Sequence, residues 1–191
     1  MIFISKGILK SKVSNAYIRV AYRGQVYLLQ GIEGELWKRG RFGFARTLNA
    51  AEERVILYLE ELGVVELERE EQDTSKYRLL TRCICCATTK KYYPMFLRSD
   101  EKKLFTWICK AGLRLSMAEL SYLMEYDIAP ISSYLGEKNR QHLVEIIYTQ
   151  DNILDGLLET QMEHASKRDA TVRLVEQLLK KKYIMMEEFW D

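Results

Sequence analysis

The chain has 191 residues, 48% of them hydrophobic and 29% charged, with a formal net charge of +2. That balance excludes a disordered or low-complexity protein and suffices for one large core or two smaller ones. No stretch approaches the roughly 20 apolar residues of a membrane helix, and the start from Met1 lacks a signal-peptide pattern, so the expected setting is the cytoplasm, away from membranes.

In chain order, the first readable unit is a hairpin. Ala16 to Tyr22 and Gln25 to Leu29 are strand-like runs, and Arg23-Gly24 between them reads as a tight turn. A short helix is expected from Ile32 to Lys38. A basic loop with aromatics follows, Lys38-Arg39-Gly40-Arg41-Phe42-Gly43-Phe44-Ala45-Arg46. Asn49 is placed to cap a helix that carries Glu52 and Glu53 in its first turn. Val55, Ile56, Leu59 and Leu62 recur at helical spacing, and Gly63 stops the helix. Val64 to Leu67 reads as a strand, Glu70 to Ser75 as a polar turn, and Tyr77 to Leu80 as a returning strand. The basic stretch around Pro94 suggests a domain boundary near 88–98.

Beyond it the pattern turns helical. Ser99 is expected to cap a helix to about Lys110, ended by Gly112. Ser116 and Glu119 have capping-box spacing for a helix to about Glu125. A loop over Asp127 to Gly136 leads to helices over Glu137 to Tyr148 and Asp151 to His164. A fifth helix, capped by Ser166, runs from Lys167 to about Lys181, and Tyr183 to Met186 reads as a strand.

One ending occurs twice. Asn49 opens a helix that closes with Leu59-Glu60-Glu61-Leu62-Gly63-Val64-Val65, and Ser166 opens one that closes with Leu178-Leu179-Lys180-Lys181-Lys182-Tyr183-Ile184. A capped helix running into an apolar strand resembles the last helix of a winged-helix domain entering its wing. Ala170 to Leu179 is similar to the recognition helix of many bacterial winged-helix regulators, in which the polar face enters the DNA major groove. The resemblance covers about 40 residues in each half. It implies an α+β, mainly helical chain of two winged-helix-like domains, 1–90 and 98–191. Two departures stand beside it: one or two additional helices between Gly136 and His164, and no full second wing before Asp191. The first half also loosely resembles the peptide-binding PqqD-type domains, through its leading hairpin and Leu28-Leu29 … Glu35-Leu36-Trp37.

Charge is segregated along the chain. Residues 6–46 hold nine bases and two acids, a balance of +7; residues 49–75 hold nine acids and two bases, a balance of −7. Phosphates repel an acidic helix and wing, so the first domain is not expected to put its own last helix on DNA. The fifth helix of the second domain is the better candidate. Arg173, Gln177 and Lys180 share a polar face, with Lys167 and Arg168 near its start and Lys181 and Lys182 near its end. The loop residues Lys38, Arg39, Arg41 and Arg46 form a second basic surface, where Phe42 and Phe44 act either as stacking groups or as core anchors. The expected function is that of a non-enzymatic DNA-binding or transcription-associated regulator, a homodimer taking double-stranded DNA. The alternative is an adaptor whose acidic face, 49–75, takes a basic protein or peptide, and the charge segregation would favour self-association.

No cofactor or metal is expected. Cys83-Ile84-Cys85-Cys86 lacks the second ligand pair that a zinc site needs, and the Cys83/Cys86 spacing lacks the βαβ setting of redox motifs. His142 and His164 have no nucleophile at a recognisable spacing, and no phosphate-binding glycine loop occurs.

Overall fold

The computed structural model describes residues 1–14, 17–88, 94–110, 115–131, 140–149 and 155–188. Strand β1 (Ile2–Ser5) is the middle strand of a three-stranded sheet, with all four residues buried. Its alternation sends Ile2 and Ile4 into one hydrophobic core and Phe3 into another. It is flanked by β5 (Ala45–Arg46) and β6 (Val65–Glu68), both antiparallel. A second sheet is the meander β2 (Ile8–Ser14), β3 (Tyr17–Tyr22) and β4 (Gln25–Gln30). The expected Arg23-Gly24 turn joins β3 to β4 with φ of 50° and 72°. Two consecutive positive φ values match the twist of a two-residue hairpin.

Helix α1 (Gly31–Gly40) and helix α2 (Ala50–Glu61) close the first core, which holds Phe3, Ile18, Leu29, Trp37, Ile56 and Leu59. The Asn49 side chain caps α2 by accepting from the Glu52 amide at 3.0 Å. The segment expected as a returning strand at Tyr77 to Leu80 is instead helix α3 (Ser75–Thr81). A short apolar run does not separate strand from helix by periodicity. Here the Ser75 hydroxyl, accepting from the Gln72 amide and donating to the Glu70 carbonyl, tightens the chain into a helical start. Tyr77, Leu79 and Leu80 then enter the larger core.

That core is completed by β7 (Cys83–Ala87), α4 (Ser99–Lys110), α5 (Met117–Glu125), α6 (Arg140–Ile147), α7 (Asp155–Glu163), α8 (Arg168–Lys180) and β8 (Ile184–Glu188), with a 3₁₀ turn at Pro94–Phe96. The Ser116–Glu119 capping box of α5 forms as expected. Ser166 does not cap α8. Its hydroxyl donates to the Glu125 carboxylate at 2.7 Å, which also accepts the Lys167 amide, and Lys167 occupies the cap position. The expected stop at Gly112, the loop end at Gly136 and the helix starts at Glu137 and Asp151 lie outside the described residues. Among the described residues no helix is long and apolar enough to cross a membrane.

The class is α+β. The second half is mainly helical, as expected; in the first half, to residue 90, seven strands accompany three helices among the described residues. One plan occurs twice. In the first half β1 lies between β5 and β6, the strand that follows α2. At the larger core, β7, which comes from the end of the first half, lies between β8, the strand that follows α8, and a bridge from Ile84 to Ser116. The helix-to-strand turns also agree. The Val64 amide donates to the Leu59 carbonyl and the Tyr183 amide to the Leu178 carbonyl, through left-handed residues Gly63 and Lys182. These six-to-one bonds are Schellman closures.

Lys6 joins the two halves. Its amide donates to Val64, its carbonyl accepts from the Trp37 indole at 3.0 Å, and the next amide, Gly7, donates to Met186 of β8. Its ammonium, 2% exposed, pairs with Glu66 at 2.6 Å and lies over the Tyr22 ring.

Candidate nucleic-acid interface

Helix α8 buries Val172, Val175, Leu178 and Leu179 and leaves Asp169, Arg173 and Lys180 exposed. Several residues expected to touch DNA also make bonds within the fold. The Lys167 ammonium donates to the carbonyls of Met124 and Glu125, capping α5, where a cation meets the negative end of the helix dipole. Arg168 donates to Asp169 and to the Glu163 carbonyl. The Gln177 side-chain carbonyl accepts from Arg98 at 2.9 Å. Lys180 pairs with Glu176 at 2.7 Å but is 64% exposed, so an i,i+4 surface pair of this kind leaves it available to a stronger anion. Arg173 makes none of these bonds.

The basic loop divides in the same way. Arg39 holds Glu52 and the Arg46 carbonyl, and Arg46 holds Glu71. Lys38 is exposed. Arg41 lies over both the Trp37 ring, at 5.4 Å, and the Phe42 ring, at 4.7 Å. Burial pulls its pKa below the ordinary arginine value, and its buried Nε makes no hydrogen bond. Guanidinium stays charged even so. From the far end of the chain Lys182 reaches the same Phe42 ring at 5.3 Å. The Lys180 stem passes beside Gly43, where an added Cβ would lie 3.8 Å from Lys180 Cε. The structure thus brings Arg41 and Lys182 to the Phe42 ring, with the Lys180 stem beside the next residue, Gly43, while Arg39 and Arg46 turn to the acidic helix α2 and the turn after β6. The sequence places Lys181 and Lys182 together at the basic end of α8, but nothing in that lysine run marks which side chain turns toward the loop. Phe44 is partly buried against the larger core, with the Lys76 ammonium over its ring.

Part of the segregated charge is paired within the chain. Glu52 is held by Arg39, Glu66 by Lys6 and Arg82, Glu68 by Arg82, and Glu71 by Arg46. For Glu71 and Glu52 the arginine hydrogen bond is the main reason that the carboxyl pKa falls below its ordinary value.

At the end of α8, Lys181 pairs with the buried carboxylate of Glu101 at 2.6 Å, and Glu101 also accepts the Arg98 amide at 2.9 Å. Burial alone would raise the Glu101 pKa; Lys181 and the Arg98 amide outweigh it and lower it. A carboxyl whose pKa falls on folding adds stability above its unfolded pKa and loses it as pH falls through the folded one. Glu101→Gln is therefore expected to be less stable than wild type at neutral pH, with the gap closing below the ordinary carboxylate range. Urea unfolding across a pH series checks this, and a gap independent of pH would contradict it.

The cysteines do not form a thiol centre. Cys83 and Cys85 are buried on one face of β7, and Cys86 lies on the other, so the Cys83/Cys86 spacing cannot close a bridge along an extended strand. Burial pushes the Cys83 thiol up to about 12 and raises Cys85 further, which withholds the nucleophilic thiolate. Among the described residues no three His, Cys, Asp or Glu side chains group to hold a metal ion. His142 stands exposed beside Glu145 at 3.7 Å. Comparison with family models, with curated proteins and with solved structures gives no match to this chain.

Proposed function

We propose that the protein is a non-enzymatic DNA-binding regulator built from two winged-helix-like units, touching the duplex with the exposed side of α8 and the loop beside its end. One observation carries this reading: Arg41 and Lys182, from opposite halves of the chain, both sit over Phe42, with Lys180 beside Gly43. Clustered cations around an aromatic ring suit a phosphate backbone, and Arg173 extends the strip along α8. The repeated strand-helix plan supports the winged-helix reading, with an upstream strand in the position of the second wing strand. The proposed surface is smaller than the sequence suggests: Arg173, Lys180, Lys182, Arg41 and Lys38.

Fluorescence anisotropy with mixed-sequence duplex DNA tests it. Binding is expected to weaken steeply with salt. Arg173→Ala/Lys180→Ala is expected to reduce affinity at every sequence and to flatten the salt dependence by about one unit for each phosphate that is no longer neutralised. Arg41→Ala is expected to act in the same direction. Absence of binding at low salt would refute the reading. The protein- or peptide-binding adaptor would then take its place, resting on the exposed acids of the 49–75 face that make none of the ion pairs above, Glu61, Glu70 and Asp73.

A further inference from the structure

The two edges of the β2–β3–β4 sheet differ. The β2 edge is interrupted by two register shifts, between Leu9 and Ser11 and between Lys12 and Ser14, and its sequence carries Lys10 and Lys12. Bulges and lysines are the usual means of preventing edge-to-edge pairing. The β4 edge has neither. It pairs with β3 in unbroken register, and no other strand pairs with it among the described residues. Its sequence, Gln25-Val26-Tyr27-Leu28-Leu29-Gln30, holds no charge and no proline.

Hairpin geometry decides which β4 groups are open. Tyr22 and Gln25 flank the two-residue turn and face each other as a hydrogen-bonded pair, and Tyr27 and Leu29 follow in the same phase. The amides and carbonyls of Val26, Leu28 and Gln30 therefore point away from β3. The Gln30 amide already donates to the Glu33 carboxylate at 3.0 Å, which leaves Val26 and Leu28 as the open positions. Their side chains share the outer face of the sheet and are 60% and 49% exposed.

We infer that this edge is where two copies of the chain join, β4 against β4 in antiparallel register, with Val26 of each copy opposite Leu28 of the other. This register exchanges both backbone bonds at each open position and places two valines and two leucines side by side. It is closed and two-fold, since each residue meets the other's partner. No charge opposes its own copy. A second copy also brings a strand already ordered by its own hairpin, whereas a disordered peptide would lose conformational freedom on docking. The inference is independent of the DNA reading. It also departs from the electrostatic self-association that the charge segregation suggests, because it rests on backbone pairing and apolar contact rather than on opposite charges.

Sedimentation velocity over a concentration series tests it, on the full chain. Wild type is expected to dimerise reversibly, with little change between low and high salt. Leu28→Lys is expected to weaken the dimer about tenfold or more at unchanged melting temperature. Leu48→Lys, which replaces another exposed apolar side chain away from this edge, leaves it intact. In a Cys109→Ser background, a mixture of Val26→Cys and Leu28→Cys chains should cross-link faster on mild oxidation than either alone, because directly opposed residues lie within disulfide range. A monomer at all attainable concentrations, a dimer indifferent to Leu28→Lys, a dimer dissolved by salt, or a mixture that cross-links no faster would overturn the inference. So would a monomer that instead binds extended apolar peptides along β4.

Discussion

Phe3→Ala is expected to lower the unfolding free energy by about 3–5 kcal/mol, the range for truncating a fully buried phenylalanine. The loss should spread across both halves of the molecule. The Phe3 ring fills the first core and packs so closely on α1 that a Cβ added at Gly40 would lie 2.7 Å from it. Its neighbours Ile2 and Ile4 are buried in the other core. One strand therefore serves as a wall for both, and displacing it exposes apolar surface on its two faces. Hydrogen exchange read peptide by peptide is the measurement. Protection should fall together in α1 and α2 and in α4 and α5, since total stabilities are only about 5–15 kcal/mol. Loss confined to the first half would show that the two cores unfold independently.

Removal of Glu66 gives the second large effect. Glu66→Ala leaves the Lys6 ammonium, 2% exposed, without its carboxylate. Stranding a buried charge costs about 3–5 kcal/mol. Glu66 is itself partly open to water and is shared with Arg82, which places the expected loss near the lower end. Lys6→Met retains most of the stem that lies against Tyr22 and removes the charge, so alone it should cost little. The double variant should recover most of what Glu66→Ala loses. Urea unfolding of the four proteins completes the cycle. Failure of Lys6→Met to rescue would show that Glu66 acts through Arg82, which also holds Glu68 and the Leu67 carbonyl.

Local order is readable in the sequence because its causes are local. Asn49 with Glu52, Ser116 with Glu119, Gly63 after Leu62 and the Arg23-Gly24 turn each act within a few residues of chain, and each forms as expected. Where the structure departs from expectation, two local signals compete or a distant group intervenes. Tyr77 to Leu80 is too short to show its period. Ser166 loses its capping role to Glu125, a carboxylate on another helix.

The candidate site shows the same division. The sequence marks both basic segments, and it identifies Arg173 and Lys180 as lying on the outer face of a helix whose apolar positions define its inner one. It carries no signal that Lys167 would cap α5 or that Arg39 and Arg46 would turn toward Glu52 and Glu71. Charge along a chain is a one-dimensional count, whereas ion pairing depends on distances of a few ångströms between segments that the fold brings together.

By itself the sequence determined most of the element types, the repeated helix-to-strand endings, the α+β class and the two basic segments, because spacing, caps and turns are written in neighbouring residues. Only the tertiary structure decided that β1 divides two cores, that acids of the −7 segment pair with bases of the +7 segment, that Arg41 and Lys182 meet over one ring with the Lys180 stem beside Gly43, and that β4 is left with an uncharged open edge. Each depends on which strand lies beside which, and that is settled by long-range burial and pairing rather than by local propensity.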